Sequence, residues 1–186
     1  MVAVAVLVSF LAGCGPTGSG FPSGHRDTKM NMQTAADRAD AILDGTFAAI
    51  KPPVQWTPTY TVPAECYVDR DRTVMTIISE QRRTAFLDVV ERHWRSEGYE
   101  LVDMSENGLA TNFRTHDGFQ LQVLIGTNGQ AHFTVTTPCV EKTDVSAPSG
   151  PPIGFDYSQQ EVPAPNVRSD FWSSTEPVPS SSSSGM

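Results

Sequence analysis

The run Phe119-Gln120-Leu121-Gln122-Val123-Leu124-Ile125-Gly126-Thr127-Asn128-Gly129-Gln130-Ala131-His132-Phe133-Thr134-Val135-Thr136 decides the fold. Side chains of an extended strand alternate between two faces, so Phe119, Leu121, Val123 and Ile125 share one side while Gln120 and Gln122 share the other. Ala131, Phe133 and Val135 repeat the pattern against His132, Thr134 and Thr136. Thr127-Asn128-Gly129 between the two runs is a hairpin signal, because Asn and Gly both tolerate positive φ. Two antiparallel strands are predicted, with one face buried and the other wet.

Upstream, residues 99–104 and 109–114 are two more short runs, set off by Glu106-Asn107-Gly108 and His116-Asp117-Gly118, which extends the hairpin into a four-strand meander. Before them Ser79 stands where an N-cap belongs. Phe86, Leu87, Val90 and Trp94 follow at helical spacing, and Gly98 sits just past Glu97 as a C′ residue. Residues 65–78 carry Tyr67, Val68, Val74, Met75, Ile77 and Ile78, a β-branched density that favours a strand. Its fully charged middle, Asp69-Arg70-Asp71-Arg72, is compatible with a solvated edge, a bulge or a hairpin tip. Residues 54–63, broken by Pro58 and Pro63, read as an extended connection. Ala35, Ala39, Ile42, Leu43, Phe47 and Ile50 form one stripe of a first helix over residues 29–51, which Pro52-Pro53 ends. The expected architecture is α+β: an N-terminal helix, then β-α-β-β-β-β, with two helices packed on one face of an antiparallel sheet.

Both ends differ from this middle. Val2 to Ala12 is an apolar run too short for a bilayer, which takes about 20 residues, but of the size of a signal-peptide core. It closes in Leu11-Ala12-Gly13-Cys14. That tetrad resembles the lipobox of bacterial lipoproteins. The resemblance implies a signal peptide over residues 1–13 and diacylglycerol on the Cys14 sulfur, with palmitate-type acyl chains holding the mature protein on the outer face of the cell membrane. Two acyl chains suffice for stable anchoring where one is marginal. No Lys or Arg follows Met1 directly, so either the start codon lies upstream of Met1 or the signal is a weak one. Residues 14–27, rich in Gly, Pro and Ser, read as a flexible tether to a domain over residues 28–142.

With Cys14 acylated and the chain exported, Cys66 and Cys139 remain as a pair and are expected to form a disulfide. Closing such a loop contributes roughly 4 kcal/mol in the chain-entropy model. It also makes the strand opened by Cys66 an antiparallel neighbour of the strand closed by Cys139. Residues 143–186, rich in Pro and Ser and acidic, read as a disordered tail. Phe155, Tyr157, Phe171 and Trp172 within it are either stray aromatics or a partner-docking segment.

The net charge of -8 argues against nucleic-acid binding, which requires a basic footprint. The four histidines His25, His93, His116 and His132 have no metal-ligand spacing, and no hydrolase motif, phosphate loop or carboxylate pair stands out, so no catalytic, cofactor or metal site is predicted. Between Asp69 and Glu97 six arginines oppose six acids, which reads as a solvated helix face and strand edge with local ion pairs.

Met30-Asn31-Met32-Gln33 with Ala35-Ala36-Asp37-Arg38-Ala39-Asp40, Arg72-Thr73-Val74-Met75-Thr76 with Ile78-Ser79-Glu80, and Pro138-Cys139-Val140-Glu141-Lys142 resemble a group of small lipoproteins of high-GC Gram-positive bacteria. The likeness covers the folded part and brings no activity with it. The expectation is a non-enzymatic surface lipoprotein that contacts an envelope protein or cell-wall component. The alternative is a small-ligand module whose pocket, between helices and sheet, is lined by Trp56, Tyr60 and Trp94.

Overall fold

The computed structural model describes residues 30–148 and 150–177. The expected signal peptide over residues 1–13, Cys14 and the expected tether over residues 14–27 fall outside them. Helix α1 (Met32–Ala49) starts at Asn31, whose side chain accepts a hydrogen bond from the Thr34 amide at 2.9 Å. Its stripe of Ala35, Ala39, Leu43 and Phe47 is buried. A single turn of 3-10 helix at Glu80–Arg82 leads into α2 (Arg83–Ser96), and Gly98 follows at φ +79°. The predicted helices are thus both present.

Six strands form one antiparallel sheet: β1 (Trp56–Pro63), β2 (Val68–Val74), β3 (Glu100–Met104), β4 (Ala110–Arg114), β5 (Gln120–Ile125) and β6 (Ala131–Thr136), in the order β1-β2-β6-β5-β4-β3. The meander from β3 to β6 follows the sequence pattern. Cys66 is bonded to Cys139 with Cα atoms 4.7 Å apart, and β2 pairs with β6 as that bond requires. Gly129 in the β5–β6 turn has φ +79°, and a Cβ there would collide with the Ile78 carbonyl, so only glycine lets the hairpin tip lie against the chain leaving β2.

One extended segment was misplaced by the sequence pattern. Residues 54–63 are not a connection: Trp56–Pro63 is the strand β1, hydrogen-bonded to β2, with a register shift between Pro58 and Thr61. Prolines are tolerated there because β1 lies at the edge, where a missing amide costs no ladder bond. The element order is therefore α-β-β-α-β-β-β-β, and β2 is an interior strand.

Both helices cover one face of the sheet, and α1, α2, Val74, Phe113, Leu121, Val123, Phe133 and Val135 share one core cluster. The chain beyond β6 corrects the expectation of a disordered tail over much of its length. It is a strap that passes round the β1 edge. The Ser146 carbonyl accepts from Arg70 on the helix side, the Ile153 carbonyl accepts the Trp56 amide at 2.9 Å on the edge, and Tyr157 donates to Thr57 beyond it. Asn166 and Val167 then bond the Met75 carbonyl, and Trp172 enters the core, 1 % exposed, with its indole donating to the Pro52 carbonyl. Average composition misled because the order of this segment rests on a few specific contacts, the backbone bonds of Ile153 and Val167 and the burial of Trp172, which a mean over the segment does not register. Residues 178–186 lie outside the described residues.

Candidate functional site on the open face of the sheet

In β2 the sequence Asp69-Arg70-Asp71-Arg72 meets the period of a strand, and the sheet sorts the charges by sign. Arg70 and Arg72 point into the helix-covered face. Arg70 is 1 % exposed, its Nε lies 3.3 Å from Asp40 of α1, and it donates to Thr61 and to the Ser146 carbonyl. Arg72 donates to Asp44 at 2.6 Å and lies 4.0 Å over the Trp56 ring. Burial raises the Asp40 carboxyl above its ordinary range and lowers Arg70, desolvation outweighing their mutual attraction. The stretch from Asp69 to Glu97 is therefore not a solvated surface whose charges cancel locally: three of its six arginines, Arg70, Arg72 and Arg82, are buried.

The aspartates point the other way. Asp69 accepts from Thr136 at 2.6 Å and Asp71 from Thr134 at 2.5 Å, both across the β2–β6 pairing. The registers then align Asp71, Thr134, Gln122, Asn112 and Asp103 in one row across five strands. Gln122 donates to Asn112 at 2.9 Å and Asn112 donates to Asp103. A cleft of about 420 Å³ opens over the β2–β6 end, with Asp71, Thr73, His132 and Thr134 in its floor and Glu161 and Val162 of the strap on its wall. A shallower groove of about 230 Å³ adjoins it at Thr134 and runs to Val102 and Asp103.

Charge on this face is mostly negative: in the neighbouring row Asp69-Thr136-Gln120-Arg114-Glu100 the exposed Arg114 lies opposite Glu100, at the far end from Asp69. Among the described residues no Lys, Arg or His nitrogen lies within 4.0 Å of a carboxylate oxygen of Asp69, Asp71, Asp103 or Glu161. Burial pushes the Asp71 carboxyl up, the Thr134 hydrogen bond pulls it down, and neighbouring Asp69 pushes it up again. His132, an exposed residue of β6, has its pKa lowered by desolvation, and its ring pairs with the Thr73 hydroxyl at 3.1 Å. Asp71 and His132 thus each bond a threonine rather than one another, so the base-and-orienting-acid arrangement of nucleophilic catalysis is not formed.

No family model, curated protein or solved structure matches the chain. The face's own geometry is what defines it.

Of the residues singled out in the sequence, Cys66 and Cys139 are joined and Cys14 lies outside the described residues. Trp56 and Trp94 do not line a cleft. Both are buried, Trp94 donating to Thr46 at 2.9 Å and packing on Phe113. His116 stays in an exposed turn, whose Asp117 pairs with Arg38 of α1 at 2.9 Å. Asp71, His132, Thr134 and Glu161 were not grouped beforehand. The first three were within reach of the alternation in β2 and β6, whereas Glu161 arrives by the strap.

The raised Asp71 pKa carries a signed consequence. A carboxyl whose folded pKa exceeds its unfolded value of 3.8 takes up a proton on folding between the two, so its ionisation opposes folding above that window and not below it. Asp71→Asn is expected to raise Tm at pH 7 and to leave it unchanged at pH 3, as read by thermal melts at both. A lower Tm at pH 7 would mean that the carboxylate serves the fold.

Proposed function

We propose that the protein is a lipid-anchored extracytoplasmic lipoprotein without enzymatic activity, held on the outer face of the cell membrane by acylated Cys14 and contacting an envelope protein or wall component through the open sheet face. The Cys66–Cys139 disulfide carries this reading. Disulfides persist where thiols oxidise, outside the cytoplasm. The bond also leaves Cys14, in Leu11-Ala12-Gly13-Cys14, as the third cysteine of the chain. Among the described residues no helix is long and apolar enough to cross a membrane. Attachment by acyl chains meets the need without one.

The test is expression of the full chain in a host that processes lipoproteins. Mass analysis is expected to find a mature N-terminus at Cys14 carrying diacylglycerol, and Cys14→Ser is expected to move the protein out of the membrane fraction. A product that keeps residues 1–13 and three free thiols would sink the proposal.

A further inference from the structure

Resting on the reading of the open face as a contact surface, we propose that its occupant is an extended basic segment of another protein, whose lysine or arginine side chains meet Asp69, Asp71, Asp103 and Glu161. Charge complementarity is the first support. The sheet sends the two cations of β2 inward, where Asp40 and Asp44 answer them, and leaves the two anions outward with threonine hydroxyls as their partners. Half-buried Asp71 bonds the Thr134 hydroxyl and has no cationic nitrogen within 4.0 Å among the described residues, so it suits a cation brought by a partner.

Shape is the second. The cleft over Asp71 and the groove over Asp103 join at Thr134, and the row between the two aspartates crosses four strand spacings, about 19 Å. An extended peptide of about six residues spans that length. Carboxylates at both ends and amides of Gln122 and Asn112 between them suit a chain with charged side chains and a polar backbone. Val162 on the strap and the exposed Val102 on β3 form apolar rims against which the methylene stems of lysine or arginine can lie.

The test is calorimetric titration of the full mature chain with octalysine at low salt, beside octalysine acetylated on every side chain and a deacetylated amino-sugar oligomer of matched charge. Octalysine is expected to bind and to perturb the backbone resonances of Gln122, His132 and Thr134, and the acetylated peptide is not. Combining Asp69→Asn, Asp71→Asn and Asp103→Asn is expected to weaken binding by about tenfold or more, the scale of losing several close charge pairs. Neutralising Glu80, Asp88 and Glu97 around α2 is the control and is expected to change it by less than about twofold. Equal losses in the two triple variants, or equal binding of the acetylated peptide, would overturn the proposal. Tighter binding of the amino-sugar oligomer at the same resonances would overturn the polypeptide occupant and leave the contact-surface reading standing. Anchoring fails or holds by Cys14 alone, so the outcomes of the two experiments are separable.

Discussion

Trp172→Ala is expected to destabilise the domain by about 3–5 kcal/mol, the usual cost of deleting a buried aromatic side chain. The indole is 1 % exposed, meets Phe86 edge to face at 5.2 Å and donates to the Pro52 carbonyl. It also fixes its neighbours: the Ser79 amide donates to the Trp172 carbonyl, and Arg82 donates to the Phe171 carbonyl while stacking 4.7 Å over its ring. Denaturant unfolding should show the loss, and limited proteolysis should show new cleavage between residues 150 and 170 before the sheet itself yields. Phe155→Ala is the control, because that ring is 61 % exposed and its removal should cost little. Equal effects of the two substitutions would mean that the strap is not anchored by its end.

Arg70→Met is expected to cost a similar 3–5 kcal/mol for an electrostatic reason. Asp40 is 4 % exposed, and neither of its carboxylate oxygens has a hydrogen bond of good geometry, so the Arg70 guanidinium at 3.3 Å is its main compensation. Removing that cation leaves a buried charge with only the more distant Arg72 to offset it. Asp40→Leu added to Arg70→Met should recover most of the loss, since a buried ion pair replaced by apolar groups of similar volume is close to neutral. A double-mutant cycle at pH 7 decides the matter. If the two losses simply add, the pair is not coupled and the burial of Arg70 has another cause, its bonds to Thr61 and Ser146 being the candidates.

Much of this fold could be read from pattern. β4, β5 and β6 each alternate a buried with an exposed or half-buried residue, and turns rich in Gly and Asn mark their ends, so local physics and tertiary outcome agree. The disulfide followed from counting cysteines. β1 was hidden because its two prolines signal a loop everywhere except at a sheet edge, and which strand is an edge is a property of the whole sheet. The strap was hidden because composition averages over a segment, whereas its order depends on a few contacts of Ile153, Val167 and Trp172. For the candidate face the decisive signal was present in four letters, Asp69-Arg70-Asp71-Arg72. Summing charge along the chain erased it, because the sum treats neighbours as partners while a strand sends them to opposite sides.

The strap also settles what becomes of the sheet's two borders. At β1 the Ile153 carbonyl has already taken the outward Trp56 amide. At the far border β3 is exposed along its whole length, but its pairing is broken by a bulge between Leu101 and Asp103, and Glu100 and Asp103 place like charges along it. A bent, negatively charged rim is a poor template for another strand, and so is one covered at Trp56 and then broken by a register shift and two prolines. Molecules crowded side by side therefore have little means of stitching their sheets into a fibre.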